Sequence, residues 1–171
     1  MTGFGEIHKH GRGREVWLTP RWVIEALGPF DLDPCFGPPR PWDTADKHFG
    51  PEENGLLQPW KGRVWLNPPY GAETYDWLHK ASMHNDVTAL IFARTEVEGF
   101  HEEVWQKASS IAFLRGRVKF HRGDGSLPES GNAGAPSCIV TYGVRPALRL
   151  GEACFDGKLR GAEYLRLGSR R

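Results

Sequence analysis

The chain has 171 residues, of which 39% are apolar and 25% charged, and its net charge is +1 at neutral pH. That length suits one domain with a core of its own, and the near balance of charge excludes a broadly basic nucleic-acid coat. No apolar run reaches the ~20 residues of a membrane span, and the polar start, with His8, Lys9, His10, Arg12 and Arg14, reads as no secretory signal, so a cytoplasmic protein is expected.

Residues 1–15 carry Gly, His, Lys and Arg with almost no apolar periodicity and read as a flexible basic arm. The first ordered element begins at Trp17-Leu18-Thr19-Pro20. It is predicted as a helix with Thr19 as N-cap and Pro20 at the first helical position, its apolar face carrying Trp22, Val23, Ala26 and Leu27. Gly28-Pro29 stops it. Phe30-Asp31-Leu32-Asp33-Pro34-Cys35 reads as a brief strand that ends on acids and a proline. Residues 36–62, rich in Pro and Gly, read as a long loop rather than a strand–helix pair, anchored on the core by Trp42 and Trp60; loops of that length are more often functional than idle.

Arg63 to Leu66 is predicted as a strand and Ala72 to His84 as a helix. The unbroken apolar run Val87 to Ala93 is the mark of a strand buried on both faces. A second helix is expected over Val97 to Ala108, then strands over Ile111–Leu114 and Val118–Phe120, a loop over 123–136 and a strand over Ser137–Tyr142. The tail suggests a hairpin around Asp156-Gly157, joining Leu148–Leu150 to Glu163–Leu167. This order implies an α/β sheet with an antiparallel C-terminal part. The domain organisation expected is the arm, a domain over 16–143, and an extension over 144–171 packed on or beside it.

Asn67-Pro68-Pro69-Tyr70 leaves the apolar run Val64-Trp65-Leu66. Proline fixes φ and lacks an N–H, so this turn is stiff and offers carbonyl oxygens with few competing donors. The Asn67 side-chain oxygen and the Pro68 carbonyl can converge on one incoming –NH2 group, with the flat face of Tyr70 beside them for a planar base. The bland alternative is a proline-rich turn after a strand.

Asp31 and Asp33 lie two apart on a strand and so point to one side. They read either as partners for the cationic amino group of a bound cofactor or as loop acids capping nearby N–H groups. In open α/β sheets ligands bind beyond the carboxyl ends of the strands, which puts both motifs in one cleft. Arg115, Arg117, Lys119 and Arg122, four cations with no acid among them, read as phosphate contacts or as a solvated strand face with Val118 and Phe120 inward. Cys35, Cys138 and Cys154 are odd in number and lack any C-x-x-C, so neither a disulfide framework nor a metal site is expected.

The N-P-P-Y turn resembles the catalytic motif of amino-group methyltransferases. The succession Trp17-x-Thr19-Pro20, Asp31-x-Asp33-Pro34-Cys35, Trp42-Asp43-Thr44-Ala45, Asn54-Gly55-Leu56, Trp60 and Val64 to Gly71 resembles the phage-type DNA N6-adenine methyltransferases. The likeness continues through Ala93-Arg94-Thr95-Glu96, Phe100, Phe113 to Phe120 and Ala135-Pro136-Ser137, and covers about residues 16–143. It implies a compact Rossmann-like sheet, S-adenosylmethionine as methyl donor, and double-stranded DNA with a flipped adenine as substrate, in a phage or prophage protein at work in the bacterial host. Trp17, Thr19, Pro20, Asp33 and Pro34 would match donor-site segments, and Asn67, Pro68, Pro69 and Tyr70 the catalytic turn. The donor motif departs from the usual D-P-x-x-G-x-G, because Pro38-Pro39 replaces its second glycine. Asp43 and Asp46 are the candidates for the acid on the donor's ribose. Methylation of RNA adenine or of a protein glutamine, and an inactive nucleic-acid-binding relative, remain the alternatives.

Overall fold

The structure, a computed structural model, describes residues 17–129 and 133–168, and the arm expected over 1–15 lies outside them. In chain order the elements are β1 (Trp17–Leu18), α1 (Arg21–Leu27), β2 (Leu32–Asp33), β3 (Lys47–His48), β4 (Val64–Leu66), α2 (Thr74–His84) and β5 (Val87–Phe92). Then come α3 (Glu98–Phe100), running into a π-helix (His101–Trp105), β6 (Ser110–Phe113), β7 (His121–Arg122), β8 (Ser137–Tyr142), α4 (Val144–Phe155) and β9 (Glu163–Arg166). Among the described residues a 7-stranded sheet forms in the order β3-β2-β4-β5-β8-β6-β9, and β1 pairs with β7 apart from it. The pairs β2–β3, β2–β4 and β4–β5 are parallel, whereas β5–β8, β8–β6 and β6–β9 are antiparallel. The element order thus gave the mixed α/β sheet and its antiparallel part.

Side chains alternate across a strand, and here both faces are buried. On β4, Val64 and Leu66 join one core with Leu78 and Ala81 of α2, Val87 and Ile91 of β5, and Phe100. Trp65, between them in sequence, joins the other core with Val23 and Leu27 of α1, Leu90 of β5, and Leu150 and Ala153 of α4. Continuous apolar strands follow directly from cover on both sides.

Several expectations need correction. Thr19 does not cap α1: no side-chain cap bond is made, and Pro20 stands before the first helical residue. The pairing of Trp17–Leu18 with β7 holds this entry extended, and the Thr19 carbonyl instead accepts the Trp42 indole N–H at 3.1 Å. The 36–62 loop contains a short strand, β3, parallel to β2. The second helix is one α turn followed by a π-helix, and the Tyr142 hydroxyl donates to the Glu103 carbonyl at 2.8 Å from outside the helix. Val118–Phe120 is not a strand; pairing begins at His121, opposite Leu18.

The tail hairpin is replaced outright. Ala147, Leu150 and Ala153 recur at three-residue steps and bury one face of α4. Asp156-Gly157 makes a turn as read, but one that ends a helix. Residues 163–166 then pair with β6, as β9, rather than with their neighbours in sequence.

Candidate functional site

The chain leaves β2 toward β3 on one side and leaves β4 toward β5 on the other. Such a divergence opens a crevice at the carboxyl ends of the two strands, the usual ligand position in an open α/β sheet. Asp33 ends β2, and Asn67 follows β4 directly. Those two motifs therefore share one end of adjacent strands. Asp31 does not: its carboxylate is exposed and accepts the backbone N–H of Arg63 at 2.6 Å, at the opposite end of β4. The same-side expectation fails because β2 is only two residues long.

The turn after β4 is held from within. The Asn67 Oδ1 accepts the Tyr70 hydroxyl at 3.0 Å. The Thr74 hydroxyl donates to the Pro69 carbonyl at 2.7 Å and accepts the Gly71 N–H at 3.1 Å, pinning the turn to the start of α2. Gly71 adopts φ 139°, where a side chain is strained. Pro68 is buried, and no donor among the described residues reaches its carbonyl. The Tyr70 ring lies nearly parallel to Phe92, with centroids 3.9 Å apart and planes at 14°, and meets the edge of Phe120 at 6.1 Å. Although the residue is partly exposed, loss of water around its hydroxyl pushes the Tyr70 pKa well up, so it stays a donor to Asn67.

Asp33 is buried, and its Oδ2 accepts the Thr44 hydroxyl while its Oδ1 accepts the Cys35 N–H at 3.0 Å. Burial raises its pKa; the Thr44 and Cys35 hydrogen bonds and the charge of Arg40 pull the other way. These are the contacts of an acid capping its own turn, although each oxygen keeps a further lone pair. Pro34 is buried beside it, and its carbonyl approaches Gly55 so closely that a Cβ there would lie 2.1 Å away. Asn54-Gly55 is thereby locked to the β2 turn.

Trp17 and Thr19 reach this region through Trp42. Its indole bonds the Thr19 carbonyl, and its ring meets His121 of β7 edge-on at 5.1 Å. Two residues further on, Thr44 holds Asp33. The loop thus joins segments far apart in sequence. Of the candidate ribose acids, Asp43 pairs with Arg40 at 3.1 Å, and Asp46 is exposed just before β3.

Sequence reasoning passed over Arg40 and His48. The Arg40 guanidinium lies 3.9 Å above the Phe36 ring, yet its Nη1 is buried without a partner among the described residues, as is the His48 Nε2. Burial, and then the charge of Arg40, push the His48 pKa down to about 4. The folded imidazole stays neutral where an unfolded one takes a proton, so stability falls as pH drops from ~6.5 toward the folded value. His48→Gln is expected to flatten that fall by ~1 kcal/mol, discounted because the ring is partly exposed. Urea melts at neutral pH and near pH ~4.5 measure it, and an equal fall in parent and variant would exclude His48 as its source.

Arg115, Arg117, Lys119 and Arg122 are all exposed, with Val118 and Phe120 turned inward between them. Arg117 also donates to the Ala133 carbonyl at 3.0 Å. Because Phe120 meets Tyr70 edge-on, the basic face flanks the turn after β4. Phe92 and Thr74 were also missed; an aromatic at the end of an apolar strand and a threonine opening a helix carry no local signal of such roles.

Among the described residues no helix is long and apolar enough to cross a membrane. No curated protein and no solved structure matches the chain. The family model described as DNA N-6-adenine-methyltransferase (Dam) matches residues 7–146, the span that contains the β2 turn, the β4 turn and the basic face, and the chain belongs to this family.

Proposed function

We propose that this protein transfers a methyl group from S-adenosylmethionine to the exocyclic amine of an adenine flipped out of duplex DNA, on a sheet of Rossmann-like type. The observation that carries the reading is the pair of acceptors at the end of β4, beside the Tyr70 ring: the Asn67 Oδ1 and the Pro68 carbonyl, which no donor among the described residues reaches.

The residues present fit a donor of this class. Asp33 offers a buried carboxylate for its ammonium group, and Arg40 a buried Nη1, which has no partner among the described residues, for its carboxylate. When bound, S-adenosylmethionine supplies an electrophilic methyl group on a positively charged sulfur. The protein then has to expose a lone pair. The adenine amine is a poor nucleophile because its lone pair is delocalised into the ring. Accepting its two hydrogens at Asn67 and Pro68 favours the tetrahedral form and turns that lone pair toward the donor. The Tyr70 hydroxyl, donating to Oδ1, fixes which end of the Asn67 amide faces the base, and the oxygen's second lone pair receives the amine hydrogen. Neither acceptor is a base strong enough to deprotonate the amine, so the N–C bond forms as the donor's S–C bond breaks, and the proton then passes from the methylated, now acidic nitrogen to water. Flipping costs a few kcal/mol, which stacking on Tyr70 partly offsets.

Transfer of radiolabelled methyl from S-adenosylmethionine to unmethylated duplex DNA tests the reading, with RNA and protein as parallel acceptors. Label in RNA or protein alone would redirect it to another acceptor. No transfer, with no rise in melting temperature on adding donor, would leave a binding protein without catalysis.

On this reading the basic face grips phosphates. Lys119→Ala with Arg122→Ala is expected to weaken DNA binding and to flatten its log–log salt dependence by ~2, about one per lost phosphate contact. An unchanged slope with collapsed turnover would move these residues into the chemistry.

A further inference from the structure

Resting on the proposed reading of the β4 turn, we infer that Phe92 is a positioning residue for the base, acting through Tyr70. The two rings stand at 3.9 Å between centroids and 14° between planes, which is van der Waals contact over a whole face. Nothing can enter between them without parting them. A flipped base therefore stacks on the outer face of Tyr70, a residue that is 38% exposed although its inner face is covered.

The two rings differ in what holds them. Tyr70 stands on a turn beside Gly71, outside any strand or helix, with its hydroxyl bonded to the amide it must orient. Phe92 closes β5, and its backbone is paired opposite Ser137 of β8. The next residue, Ala93, donates to the Pro136 carbonyl at 2.8 Å. Phe92 is thus the rigid partner. With its inner face backed, Tyr70 meets the base already oriented, and stacking is not spent on ordering the ring. The same backing holds the hydroxyl over Asn67 Oδ1, so the platform and the acceptor are set by one contact.

The test uses Phe92→Leu, which keeps an apolar side chain and removes the flat face, and Phe92→Tyr, which restores it. Unmethylated plasmid DNA is the acceptor. Phe92→Leu is expected to lower kcat/KM for DNA about 3- to 10-fold, the range of one lost aromatic contact. The rise in melting temperature on adding S-adenosylmethionine should match the parent's. Phe92→Tyr should keep the parent rate, and in a Tyr70→Ala background Phe92→Leu should have no further effect, because its partner is gone. Parent-like kcat/KM in Phe92→Leu, an equal loss in the Tyr70→Ala background, or failure of Phe92→Tyr to restore the rate would each overturn the inference while leaving DNA methylation standing. A parent protein that transfers nothing to DNA overturns the reading beneath it.

Discussion

Asn67→Ala is expected to transfer methyl groups to DNA at least ~100-fold more slowly than the parent, the scale of removing one hydrogen-bond partner from a transition state. The substitution deletes Oδ1, which accepts the Tyr70 hydroxyl and, on the proposed mechanism, one hydrogen of the amine. Pro68 would keep the other hydrogen, but a single acceptor does not favour the tetrahedral amine over the planar one. Asn67 is only partly buried and belongs to neither core, so donor affinity and melting temperature should stay near the parent values. Asn67→Asp retains an acceptor, and partial activity is expected from it. Single-turnover transfer of radiolabel to DNA, with melting curves alongside, measures the effect, and parent-like turnover in Asn67→Ala would reduce the turn to a structural bend.

The largest loss of stability is expected from Trp65→Ala, about 3–5 kcal/mol by urea unfolding. Trp65 is fully buried in the middle residue of β4, and its ring lies 5.4 Å from that of Phe30. The void would open two residues before Asn67, so turnover should fall as well. Trp65→Phe should cost clearly less. It leaves a smaller cavity and also removes the indole Nε1–H, which is buried without a partner among the described residues. A loss below ~1 kcal/mol for the alanine variant would mean that the site collapses to fill the space.

The parts legible in the sequence were those whose neighbours along the chain explain them. Val87 to Phe92 is buried on both faces, so its apolar run needed no partner to be read. The Asn67 turn followed because two prolines leave the backbone few options. What could not be read depended on distant partners. β1, β3 and β7 are two residues each and exist only through pairing, a length at which no periodicity can show. Leu148 to Leu150 carries too few residues to tell a period of two from one of 3.6, so the strand expected there was a turn of α4. Asp31 and Asp33 looked equivalent until the ladder placed them at opposite ends of β2. The stack of Phe92 on Tyr70 joins two strand ends that sequence alone does not bring together.

The family match ends at residue 146, whereas the sheet does not. Without β9 the outer strand would be β6, whose Ile111 and Ala112 are wholly buried. Its backbone would then stand as a free template for a second polypeptide. β9 covers that template with a strand that has exposed Glu163 and Arg166 at its two ends. Charges flanking a sheet edge discourage further strands from joining it. About fifty residues separate β6 from β9, so closing that pair carries a larger loop-closure cost than a hairpin would. A chain cut after α4 is expected to aggregate more readily than the longer one, measured as the share of each recovered in the soluble fraction.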